Sequence, residues 1–162
     1  MKKIIAFALA AVLLFSLAAC ADDGAVSDYE ENVETAQDVQ SLSDQVGVSM
    51  TVPATAKNVE CSIINNIVGR ITFSFNSIIY EYRSSKLLSG RQLSKKTYSD
   101  STRSDISIGD RASLQLYTDG DGGRIAVWSL EGTNYSLYCR KDISNDALTE
   151  LCDLLIPQTT DK

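Results

Sequence analysis

The chain has 162 residues, with 21 acidic side chains against 15 basic ones and a net charge of −6 at pH 7. It contains no histidine, which excludes Ser-His-Asp and Cys-His nucleophilic systems and removes the commonest zinc ligand. The length accommodates one domain plus a tail.

Lys2 and Lys3 open the chain, and Ile4 to Leu17 is an apolar run broken only by Ser16. At about 14 residues this run is shorter than the roughly 20 that a membrane-spanning helix needs. A basic start, a short apolar centre and small residues at its end make an export signal. Leu17-Ala18-Ala19-Cys20 resembles the lipobox of bacterial lipoproteins. That resemblance implies removal of residues 1–19 and a diacylglycerol on the Cys20 sulfur. Two acyl chains then hold the protein stably on a membrane, where one would bind marginally. The competing reading is an ordinary secretory signal with Cys20 close to the cut. The expected location is the extracytoplasmic side of the cell membrane, anchored through Cys20.

Eight acids lie between Ala21 and Asp44, and that segment has no Lys or Arg. From Gln45 onward thirteen acids face thirteen bases. The acidic balance therefore belongs to the tail, which argues against the domain being a nucleic-acid binder. Few large apolar residues and many like charges predict an extended, disordered tether over residues 20–44. A single domain is expected over residues 45–162.

Val46 to Val52 alternates apolar with small or polar residues until Pro53, and reads as a first strand. Val59, Cys61 and Ile63 share one parity, as do Ile71, Phe73 and Phe75. Asn76-Ser77 then turns the chain into Ile78, Tyr80 and Tyr82, predicting a hairpin with an aromatic and aliphatic inner face. Ser84 to Ser104 is basic and rich in hydroxyls, carrying Lys86, Arg91, Lys95, Lys96 and Arg103 against Asp100 alone. It reads as a solvated edge strand whose lysines discourage edge pairing. The functional alternative is a contact for an acidic partner or lipid head groups through Lys95, Lys96 and Arg103.

Ala112, Leu114 and Leu116 alternate in a further strand. Asp119-Gly-Asp-Gly-Gly123 opens like a calcium loop, but Gly123 stands at its fifth position and Leu130 at its twelfth, where ligands are needed. It is read as a hairpin turn, and no metal or other cofactor is expected. Arg124–Leu130 and Thr133–Arg140 form a last hairpin across Glu131-Gly132. A two-residue loop sets Trp128 opposite Tyr135 in the core, and a three-residue loop moves it to the other face. Ser144 is an N-cap, Ile143 and Leu148 are placed as a staple, and Ala147, Leu148, Leu151, Cys152, Leu154 and Leu155 recur at helical spacing before Pro157. Three cysteines remain beside Cys20, an odd number. Cys61, Cys139 and Cys152 read mainly as core residues, with one bridge from Cys139 to either of the others as the alternative.

These elements predict an α+β fold, a curved antiparallel β-meander packed against one C-terminal α-helix. There is no Ser-x-x-Lys, no Gly-rich phosphate loop and no Cys-x-x-Cys, so no catalytic role is expected.

Between Val46 and Pro157 the chain resembles a domain of unknown function found in lipoproteins of Firmicutes, especially gut Clostridia. The residues that carry the likeness are Val52-Pro53-Ala54, Ile71-Thr-Phe73, Tyr80-Glu-Tyr82-Arg83 and Ser89-Gly90, followed by Ala126-Val-Trp128, Gly132, Tyr135-Ser-Leu137 and the Ser144 helix. In similar anti-sigma-type membrane proteins the domain lies outside the membrane, which implies sensing or contact there. The region around Ser89-Gly90 departs from that pattern by being basic and serine-rich. The leading expectation is a membrane-tethered, non-catalytic interaction or sensing domain with an unknown protein or surface ligand. A carrier or chaperone with an apolar pocket between sheet and helix is the alternative.

Overall fold

A computed structural model describes residues 32–157. Cys20 and the tether expectation for residues 20–31 lie outside them. The remainder of the expected tether is ordered structure: strand β1 (Val33–Ala36) and helix α1 (Val39–Val46). Asp38 caps α1 by accepting from Ser41 N at 2.7 Å, and Gly47 ends it in the left-handed region at φ 69°. Leu42 is wholly buried, so the acidic composition concealed one short amphipathic helix.

Seven further strands follow: β2 (Lys57–Ile64), β3 (Val68–Phe75), β4 (Ile78–Ser85), β5 (Ser104–Ile108), β6 (Ala112–Thr118), β7 (Arg124–Leu130) and β8 (Thr133–Cys139). With β1 they form one open antiparallel sheet in the order β1-β2-β3-β4-β8-β7-β6-β5. The fold is α+β, dominated by the sheet. It differs from a single meander, because two four-stranded meanders meet where β4 pairs β8. The connection from β4 must therefore cross one face of the sheet to reach the far edge. It does so as helix α2 (Gly90–Ser94) and a 3₁₀ turn at Asp100–Thr102. Most of the basic stretch expected as an edge strand is this crossover.

Val46–Val52 is not a strand either. Beyond Gly47 the chain runs irregularly, burying Val48 and Met50. β1 already occupies the place beside β2. Side chains pin the segment instead: Tyr135 donates to Ser49 O at 3.0 Å and Thr51 to Leu155 O at 3.1 Å.

Alternation gives the sheet two faces. The inner face carries Ile71, Phe73, Tyr80, Tyr82, Leu114, Leu116, Trp128, Tyr135 and Leu137, covered by α1, residues 48–56 and helix α3 (Asn145–Leu155). Ser144 caps α3 by accepting from Ala147 N at 3.2 Å, and Leu148, Leu151, Cys152 and Leu155 face inward. Leu154, grouped with them by spacing, is half-exposed. Both predicted hairpins have two-residue loops, with positive φ at Asn76, Ser77, Glu131 and Gly132. Such loops follow the twist of the flanking strands. Trp128 therefore pairs with Tyr135. Tyr82 stacks with both, at 5.8 Å from Trp128 and 6.0 Å from Tyr135.

The two halves of the sheet repeat each other 55 positions apart. Cys61↔Ile71 recurs as Leu116↔Ala126, and Phe73↔Tyr80 recurs as Trp128↔Tyr135. Cap Ser89 with Leu88 before it and Leu93 after it corresponds to Ser144 with Ile143 and Leu148. The equivalent residues Tyr82 and Leu137 pair with each other at the seam, which places a local two-fold axis there. The helices break the symmetry: α3 lies on the inner face, whereas Leu93 of α2 packs with Ile64 and Val68 on the outer one.

Cys61, Cys139 and Cys152 are free and buried. Burial pushes the Cys139 and Cys152 thiols up, raises Tyr80 to about 12 and raises Tyr82 well above an ordinary phenol. Because these acids are held neutral in the fold, their contribution is complete below the ordinary thiol and phenol values of 9.0 and 10.0. It is lost as pH climbs through that window towards the folded values, since the unfolded chain deprotonates first. The melting temperature should therefore fall steadily above about pH 9, with tyrosinate absorbance appearing in step with unfolding. The three thiols should resist a thiol reagent until the chain unfolds.

Candidate functional site

The crossover from β4 to β5 builds a cleft on the outer face. Ser89 forms a full capping box, with Gln92 N donating to its hydroxyl and its own N–H donating to Gln92 Oε1 at 2.9 Å. Lys95 closes α2 in the left-handed region at φ 49°. Gly90 lies so close to Val127 and the Tyr135 carbonyl that α2 rests directly on β7 and β8. Beyond α2, Tyr98 is buried against Tyr117, with ring centroids 4.3 Å apart.

Between this crossover and the outer face of β6–β8 lies a cleft of about 590 Å³, within the usual range for a small-ligand site. Arg91 and Arg103 stand in it together with Asp100, Gln115, Tyr117 and Asn134. Arg91 is held in two ways: Nη2 donates to the Tyr98 carbonyl at 3.0 Å, and the guanidinium lies 5.0 Å above the Tyr98 ring. Its acidic neighbour, Asp100, is 3.6 Å away and 71% exposed. Arg103 is turned by Asp105, which accepts from Nε at 2.9 Å and from Nη2 at 2.8 Å. Burial raises the phenols of Tyr98 and Tyr117, keeping both rings neutral beside the two cations.

The expected contact residues are not gathered. Arg103 lines the cleft, but Lys96 lies 4.3 Å above the Tyr138 ring and Lys95 serves as the C-cap of α2. Arg91 takes the place they were expected to hold. Its clue in the sequence was local: it sits inside Ser89-x-x-Gln92, a capping box that presents the next residues from a fixed helical turn.

The Asp119–Gly123 segment is a hairpin turn. Asp119 Oδ1 accepts from the N–H groups of Asp121 at 3.0 Å and Gly123 at 2.6 Å, so the carboxylate holds its own loop together. Among the described residues no cluster of three acids or cysteines could hold a metal ion. No described helix is long and apolar enough to cross a membrane. No family model, curated protein or solved structure matches this chain.

Proposed function

We propose that this protein is a lipid-anchored, extracytoplasmic interaction module without catalysis, held to the membrane through Cys20. The observation that carries the reading is the filled inner face. Tyr80, Tyr82 and Trp128 are between 1% and 4% exposed and stack with their neighbours. These rings occupy the space that a carrier of apolar ligands would keep open between sheet and helix. Recognition then falls to the outer face, where the crossover cleft offers charged and hydrogen-bonding groups held by the fold. The acidic residues between Cys20 and Val33 would repel an anionic lipid surface and hold the domain off it.

Two experiments test this reading. Metabolic labelling with a fatty-acid analogue should mark the protein, and Cys20→Ser should abolish the label; persistent label would remove the anchor. Cross-linking on intact cells should capture the same partner with wild type as with Lys96→Glu, and lose it with the double change Arg91→Glu and Arg103→Glu. Capture that survives the double change would move recognition away from the cleft.

A further inference from the structure

The repeat separates what the sheet requires from what has been added to it. In the second half, the residues after cap Ser144 continue as a helix to Leu155 over the inner face. In the first half the corresponding helix, α2, lies on the outer face instead and stops at Ser94, and the chain after it stays on that face. The inner face of the first half still has a cover, because α1 supplies Leu42 to that core. Hence the scaffold is complete without the crossover's polar side chains. Arg91, Tyr98, Asp100 and Arg103 all belong to this departure from the repeat, and all line one cleft. Where a chain leaves its own structural rule, function is the first explanation to test.

We infer that this cleft is a binding site for a small acidic sugar, with the Arg91 guanidinium as the principal carboxylate donor. The inference rests on the interaction-module reading and names its ligand class. A guanidinium presents paired N–H groups to a carboxylate, and its strength depends on being oriented beforehand. Arg91 meets that condition: a carbonyl and a ring fix it, while its carboxylate neighbour stands off at 3.6 Å in solvent. Asp100 acts as a weak placeholder that an incoming carboxylate displaces. Arg103, 41% exposed, adds a second positive group at the cleft. Around them hydrogen-bonding groups stand beside the Tyr98 and Tyr117 rings and Val127: the amides of Gln115 and Asn134 and the hydroxyls of Ser89, Ser113 and Ser129. Amides and hydroxyls both donate and accept, which suits the several hydroxyls of a sugar ring.

Isothermal titration of the mature protein with digalacturonate tests the inference, with the dimethyl ester of the same disaccharide as the neutral probe. Saturable binding of the acid is expected, with the ester about tenfold weaker or worse, as loss of one charged hydrogen bond implies. Arg91→Gln should weaken the acid by a similar factor. Asp100→Asn should tighten it, because a competing carboxylate is gone; a merely structural Asp100 would not give that gain. Each variant is checked for an unchanged melting temperature, and Arg103→Gln serves as the second cleft variant if Arg91→Gln fails to fold. No saturable binding of digalacturonate, equal binding of the ester, or equal binding by the folded arginine variant overturns the site. If cross-linking still depends on Arg91 and Arg103 while digalacturonate fails, the acidic-sugar class is wrong and the module reading stands. If both fail, recognition lies outside the cleft and the acidic-sugar site falls with it.

Discussion

Trp128→Ala should cost about 3–5 kcal/mol of folding free energy, read as a lower denaturant midpoint. Trp128 is 4% exposed on the inner face of β7, stacked on Tyr135 at 5.3 Å and on Tyr82 at 5.8 Å. Tyr82 stands at the seam where β4 pairs β8, directly opposite Leu137. Removing the indole takes away the largest buried ring next to that seam and leaves a cavity that neighbouring strands cannot collapse into without breaking register. The seam joins the two meanders, so unfolding should remain one transition in wild type. In the variant, amide exchange should accelerate first in β4, β7 and β8. Trp128→Phe retains a ring and should lose much less. A Trp128→Ala variant as stable as wild type would mean that neither the stack nor the volume it fills supports the fold.

The second large effect concerns Gly90. A Cβ there would stand 2.8 Å from Val127 Cβ and 3.3 Å from the Tyr135 carbonyl, both fixed by the sheet. Gly90→Ala must therefore lift α2 from β7 and β8, at a cost of about 1–3 kcal/mol. The same displacement shifts Arg91, the next residue, so cleft binding should fall together with stability. Gly69→Ala is the contrasting case. Its added Cβ would meet Met50 Sδ at 2.9 Å and Leu42 carbons no closer than 3.5 Å. Met50 has a flexible thioether that can move aside, so the loss should stay under about 1 kcal/mol, offset in part by the reduced freedom of the unfolded chain. Equal losses for the two variants would show that the backbone contact under α2 is looser than the structure has it.

Much of the scaffold was readable because its signals are local. Positive φ at Asn76-Ser77 and Glu131-Gly132 is a property of two residues each, and the parity of Phe73, Tyr80, Trp128 and Tyr135 needs only period two. Ser144, Ile143 and Leu148 announced α3 in the same way. The repeat was also present in the sequence, in the constant spacing from Tyr80 to Tyr135 and from Ser89 to Ser144. It is faint there because the two copies share pattern and turn position more than residue identity. α1 was hidden for another reason: the acidic composition around it masks the Asp38 cap, the Gly47 stop and the spacing of Val39, Leu42 and Val46.

Other features had no local cause. Both registers of the Trp128 hairpin were open until the Glu131-Gly132 loop closed on two residues. Val46–Val52 alternates like a strand, yet β1 takes the place beside β2, and a sheet edge accepts one neighbour. The cleft depends on β4 pairing β8, a contact between residues about fifty to sixty positions apart, which forces the intervening chain across the outer face. Only then do Arg91 and Arg103 come to one place while Lys96 goes to Tyr138. Local pattern was enough for the turns, the capped helix after Ser144, the inward face of most strands and the lack of histidine chemistry. These follow from side-chain type and short spacing. Tertiary structure alone decided the strand order, the face on which each helix lies and which cations share a cleft, because long-range pairing chooses among partners that local pattern leaves equivalent.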